Sequence, residues 1–131
     1  MIDHVSIAVR NLAASARFYD AVLAPLGLRR LTERPATIGF GKTYPEFWLN
    51  ARPHGATPSP DTPSPETGLH ICLRAPSADA VQTFHRQALA AGGICDGPPG
   101  DRQAALTPYF AAFIRDLDGN KIEAAFFPKP S

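Results

Sequence analysis

The chain has 131 residues, enough for one compact domain with its own core and too few for two of ordinary size. Thirteen basic and twelve acidic side chains leave a formal charge of +1, with no clustered Lys/Arg run, so neither nucleic acid nor a membrane surface is expected as a partner. The first twenty residues lack a signal-peptide h-region and no window reads as a membrane span, which predicts a soluble cytoplasmic protein. Cys72 and Cys95 have no CxxC spacing and are read as reduced thiols.

In chain order, Ile2 to Val9 alternates as a strand does, and a helix follows from Leu12 with Asn11 as its cap. Leu12, Ala16, Tyr19 and Leu23 lie beside a second row, Ser15, Phe18 and Val22, giving a broad apolar face that ends at Pro25 and Gly27. Strands are predicted at 28–32, 36–41 and 46–51. Residues 53–66 contain five prolines and no large apolar side chain, so they are expected to form an exposed, stiff connection. The second half begins again with a strand at 68–74, followed by a helix capped by Ser77 with Val81, Phe84 and Ala88 at helical spacing, and Gly92-Gly93 as its stop. Strands at 94–97, 108–115 and 121–127 complete it, with 98–107 read as a loop and Asp118-Gly119-Asn120 as a hairpin turn.

The halves repeat one another. An offset of 66 residues places His4 on His70, Phe18 on Phe84, Leu23 on Leu89 and Gly27 on Gly93. The expected fold is therefore α+β: two βαβββ repeats forming an incomplete mixed β-barrel with the helices outside. Repeat one covers 1–52, the Pro-rich linker 53–66 and repeat two 67–128 of a single domain.

Strand alternation turns Val5, Ile7 and Val9 toward a helix and His4, Ser6 and Ala8 to the concave side; in the second copy Leu69, Ile71 and Leu73 oppose His70, Cys72 and Arg74. Glu123 alternates among apolar neighbours, where a carboxylate is costly unless paired or bound to a metal. His4, His70 and Glu123 together are two imidazoles and a carboxylate, the facial triad of non-haem divalent metal sites, with open positions for a chelating substrate and Lewis-acid chemistry. Ser6, Trp48 and Cys72 are candidate pocket residues and Tyr109 a candidate catalytic proton donor. Arg74 and Arg115 are candidates for holding a substrate carboxylate, with strand-end ion pairs as the alternative. His54 falls in the linker, and His85 takes the helix position equivalent to Tyr19.

Asp3-His4-Val5-Ser6-Ile7-Ala8-Val9, then Ala16-Arg17-Phe18-Tyr19, Gly68-Leu69-His70-Ile71 and the ending Phe113 to Glu123 with its Asp118-Gly119-Asn120 turn resemble the vicinal oxygen chelate superfamily of glyoxalase I, bleomycin- and fosfomycin-resistance proteins and extradiol dioxygenases. The resemblance covers nearly the whole chain. It implies metal ligands on the first and last strands of each unit, hence His4, His70 and Glu123. The remaining ligand place falls on Trp48, where glyoxalase I supplies a carboxylate; Glu46, two residues away, is the alternative if the register shifts. Leu117 replaces the family's hairpin proline. The resemblance thus implies a divalent metal (Fe, Mn, Zn or Ni) and an enzyme, a lyase, isomerase or dioxygenase acting on a small oxygen-rich molecule, with glyoxalase I activity disfavoured. The alternative it leaves is a metal-free binding or drug-sequestering protein; an accessory domain built around its dimer interface is a third. Open sheet edges predict a homodimer in each case.

Overall fold

The structure is a computed structural model that describes residues 1–53, 68–103 and 107–128. His54 and all but the first residue of the Pro-rich linker lie outside the described residues. Eight strands and two α-helices follow in the order β1 (Val5–Val9), α1 (Leu12–Leu23), β2 (Arg29–Glu33), β3 (Thr37–Gly41), β4 (Pro45–Ala51), β5 (Ile71–Arg74), α2 (Ala78–Ala90), β6 (Ile94–Gln103), β7 (Pro108–Arg115) and β8 (Lys121–Phe126). A 3-10 turn, Ala24–Leu26, joins α1 to β2.

Each half is a four-stranded mixed sheet, ordered β1-β4-β3-β2 and β5-β8-β7-β6, with the first and last strands of each unit parallel and the rest antiparallel. The two sheets form no closed barrel. This is the expected α+β architecture of two βαβββ units.

The helices begin where the sequence places their caps. Asn11 Oδ1 accepts from the Ala14 backbone N–H and Ser77 Oγ from that of Ala80, both at 3.0 Å, satisfying N–H groups that the first turn leaves without partners. Helix α1 buries Ser15, Ala16, Phe18, Tyr19, Val22 and Leu23, and α2 buries Ala80, Val81, Phe84 and Ala88. Each helix lies on its own sheet and the two touch each other, so one continuous core runs through both halves.

Three expectations are corrected. Residues 98–103 are not loop: β6 continues through Pro98, Pro99 and Gly100 to Gln103, with register shifts between Cys95 and Gly97 and between Gly97 and Gly100. As the edge strand of its sheet it pairs only with β7, and bulged edge strands tolerate prolines that lack an N–H. The histidines sit one residue before their strands rather than within them, since β1 starts at Val5 and β5 at Ile71. Leu69, expected against the helix, precedes β5 and is 78% exposed.

The Asp116–Asn120 segment fastens the halves together. Asp116 is 1% exposed; its Oδ1 accepts from the Asp118 and Asn120 backbone N–H groups, each at 2.9 Å, and its Oδ2 from Tyr19 Oη at 2.6 Å and Asn120 Nδ2 at 3.0 Å. Asn120 Nδ2 also donates to the Ala8 carbonyl at 3.1 Å. Asp118 accepts from the Arg10 N–H at 2.9 Å and from Ser15 Oγ at 3.3 Å. Gly119, with φ of +88°, makes the turn that an L side chain would strain. A hairpin of the second half is thereby tied to β1 and α1 of the first.

Candidate functional site

The register supports the equivalence of Trp48 and Glu123. Ser6 pairs with Trp48 across β1 and β4, and Cys72 with Glu123 across β5 and β8; Ser6 and Cys72 are themselves one repeat apart. Trp48 therefore occupies the place that Glu123 holds in the second sheet. Glu46 is exposed near the start of β4 and does not line the cavity beside Trp48.

On the second sheet, Glu123 is 3% exposed and pairs with the rim histidine: His70 Nε2 donates to Oε1 at 3.1 Å. Among the described residues Glu123 Oε2 is buried with no donor at hydrogen-bond distance, although Cys72 and Tyr109 stand near the carboxylate. A buried carboxylate oxygen without a donor is unfavourable, and it fits a site meant to face a cation. The Phe113 ring lies 5.7 Å from that of His70. Cys72 opens onto the same face. Desolvation by its surroundings, then the Glu123 carboxylate, push its thiol up to about 12, so at neutral pH it is a protonated wall and not a thiolate ligand. Tyr109 stacks on Phe127 with ring centroids 4.8 Å apart, and Arg74 Cζ lies 4.8 Å from the centroid of the same Phe127 ring. Desolvation, then Glu123, raise the Tyr109 phenol, which keeps it a donor beside that carboxylate.

On the first sheet, His4 stands in a different setting. Its Nδ1 donates to Asp3 Oδ2 at 2.7 Å, and the Tyr44 hydroxyl donates to the other oxygen of the same carboxylate. These bonds, Tyr44 first, hold the Asp3 carboxyl below its ordinary value. A carboxylate on Nδ1 fixes the tautomer that leaves Nε2 with its lone pair, the arrangement usual for metal-binding histidines. His4, Ser6 and Trp48 border a cavity of about 430 Å³ with Arg34, Thr37 and Asn50. The indole is half-buried, and its six-membered ring reaches over Gly39: a Cβ there would stand 2.9 Å from Trp48 Cζ3 and 2.8 Å from Pro45 Cβ. Trp48 is thus the floor of a pocket.

Within one chain the three expected ligands form a pair, His70 with Glu123, and a separate histidine, His4. Among the described residues no three His, Cys, Asp or Glu side chains stand close enough together to hold a metal ion. The donor set of the second sheet fits half of a divalent-metal site. Of the candidate carboxylate holders, Arg115 is engaged by Asp96 at 2.9 Å and the Gly119 carbonyl at 3.1 Å, whereas Arg74 lies against Phe127. His85 is half-buried on α2, with its Nε2 lacking a partner among the described residues and its basicity lowered by burial; it does not line the cavity on the first sheet. Sequence reasoning missed Asp3, Tyr44 and Arg34. Adjacency to His4 was a usable signal for Asp3, but Tyr44 and Arg34 come near only through the sheet.

No helix among the described residues is long and apolar enough to cross a membrane. The model of the Glyoxalase/Bleomycin resistance protein/Dioxygenase superfamily matches residues 1–124. A crystal structure of a glyoxalase/bleomycin resistance protein from Albidiferax ferrireducens T118 is 30% identical, with a TM-score of 0.79 over 95% of this chain and 97% of that one. A glyoxalase/bleomycin resistance protein/dioxygenase family enzyme from Burkholderia phytofirmans PsJN shares the fold at 16% identity and a TM-score of 0.70, over 97% and 98% of the two chains. A glyoxalase-related enzyme from Fulvimarina pelagi does so at 19% identity and 0.69, over 98% and 88%. With its paired βαβββ units, its histidine before each first strand and its buried Glu123 on the last, this chain belongs to the glyoxalase/bleomycin resistance protein/dioxygenase superfamily.

Proposed function

We propose that the protein is a metal-dependent enzyme of the glyoxalase/dioxygenase type that acts on a small oxygen-rich molecule. The observation that carries this reading is the buried Glu123 Oε2, with no donor at hydrogen-bond distance among the described residues, beside His70. His70 and Glu123 would hold the ion, a divalent cation replacing the proton they share, and His4 would supply the third donor through the Nε2 that Asp3 leaves free. A divalent metal there would supply Lewis acidity toward adjacent substrate oxygens. Tyr109, kept protonated next to Glu123, would donate a proton to the reacting molecule, and Cys72 would line the wall.

Because His4 belongs to the other sheet, completion of the triad calls for a second copy. β1 and β5 are both edge strands, with Ile2 81% and Leu69 78% exposed just ahead of them. A homodimer that sets the first sheet of one protomer against the second sheet of its partner would cover these edges. Such a dimer would also bring His4 to His70 and Glu123 of the partner subunit. The test is metal content after purification without chelator: near one divalent ion per chain in the unaltered protein and loss of it in Glu123→Gln and His4→Ala. Unchanged stoichiometry in both variants would refute the reading.

A metal-free binding protein is the second reading, favoured by the fact that the cavity on the first sheet is bounded without Glu123 or His70. Protein purified with no bound metal, and unable to take any up, would select it.

A further inference from the structure

The cavity on the first sheet contains a cation that no described residue pairs with. Arg34 lies with its Cζ 5.6 Å from the Trp48 ring centroid, and its guanidinium has no ion pair or hydrogen bond among the described residues. Its place is fixed locally: the Arg34 N–H donates to the Thr37 carbonyl at 2.8 Å, closing the β2–β3 turn, and Thr37 itself lines the cavity. The one carboxylate among the lining residues, Asp3, is committed to Tyr44 and His4. The indole lies over Gly39 and Pro45, so guanidinium and ring together form a platform. A guanidinium held over an aromatic face in this way makes no hydrogen bond with the ring, so its N–H edge is left for a carboxylate, which it matches with two parallel hydrogen bonds.

We propose that Arg34, seated on Trp48, is the carboxylate-binding group of this pocket, and that the pocket takes a small oxygenated organic acid. Ser6, Thr37 and Asn50 offer hydroxyl and amide groups to the acid's other oxygens. A volume of about 430 Å³ suits a compact molecule. Cationic ligands are disfavoured, because Arg34 already stands over Trp48 and repels a second positive charge. The proposal deepens the proposed function by naming the substrate class, and rests on that function for the identity of the bound molecule as substrate.

Trp48 is the sole tryptophan, so its indole N–H gives a single, assigned resonance in the 1H–15N spectrum of the intact protein. Benzoate and mandelate, each compared with its neutral amide, are the probes, titrated with and without EDTA. Ligands of this size are expected to bind in the millimolar range. The expected result is that both acids shift the Trp48 resonance with EDTA present, that the amides do so at least tenfold more weakly, and that Arg34→Gln, folded as judged by its spectrum, weakens acid binding about 10- to 100-fold. Arg34→Lys should restore part of the affinity, because the charge returns without the fork. Equal binding of acids and amides, no acid binding up to tens of millimolar, or full affinity in Arg34→Gln would overturn the proposal. Acid binding that requires metal and ignores Arg34→Gln would place the carboxylate on the ion, overturning this proposal while supporting the metal-dependent reading. Arg34-dependent binding by protein that takes up no metal would do the reverse.

Discussion

Replacing Tyr19 by Phe removes one oxygen from the fastener between the two halves and nothing else. The ring is fully buried, against Phe18 at 5.1 Å and Phe47 at 5.0 Å, and Phe keeps those contacts. What is lost is the 2.6 Å hydrogen bond to Asp116, a carboxylate only 1% exposed. Hydrogen bonds to charged groups contribute about 1.5–3 kcal/mol, and Asn120 Nδ2 remains on the same oxygen at 3.0 Å, so a loss near 2 kcal/mol is expected at pH 7. For a chain of this size that is about 5–10 °C in Tm. The pH dependence makes the test specific. Desolvation raises the Asp116 carboxyl above its ordinary value, and Tyr19 is the first of the hydrogen bonds that oppose the rise. The Tyr19 contribution is therefore present where Asp116 is ionised and fades as pH falls through its folded-state titration, since a neutral acid has less need of a donor. Urea unfolding of both proteins from neutral pH into the acid range measures the difference. A deficit below about 0.5 kcal/mol at pH 7, or one that does not shrink in acid, would refute the account of the fastener.

Burial lowers the basicity of His85, so the folded chain takes up its proton later than the unfolded chain. Stability linked to it is complete above the ordinary histidine value of about 6.5 and falls as pH drops through the folded value; His85→Leu should flatten denaturant midpoints across that range. Gly39→Ala would push a methyl to 2.9 Å from the Trp48 ring and 2.8 Å from Pro45, so a loss of about 1–3 kcal/mol with a shifted Trp48 emission is expected. An unchanged emission spectrum would count against Trp48 lying on the floor of the cavity. Trp48 has no lone pair for a cation, and unaltered protein should show negligible isomerisation of the glutathione–methylglyoxal hemithioacetal with any divalent metal; Trp48→Glu should raise metal affinity, measured calorimetrically. Robust turnover by the unaltered protein would reverse that assignment.

Much of the molecule was legible in the linear sequence because the determinants are local. The alternation of Val5, Ile7 and Val9, the caps Asn11 and Ser77 and the turn at Gly119 each depend on a few neighbours, and a repeat offset of 66 carries the same logic from one half to the other. The same offset identified His4 and His70, and the equivalence of Trp48 with Glu123, which the resemblance implies, is reproduced by the strand registers. Where the reading failed or was left open, the missing information was non-local. Pro98-Pro99-Gly100 looks like loop until β6 is known to be an edge strand whose bulges need no ladder there. The separation of His4 from the His70–Glu123 pair depends on how two sheets are disposed, which strand patterns do not encode. The carboxylate of Asp116 acquires its role only when folding brings Tyr19, 97 residues away, within 2.6 Å. Arg34 and Tyr44 become pocket residues in the same way, because cross-strand packing, and not sequence neighbours, decides what an exposed side chain faces.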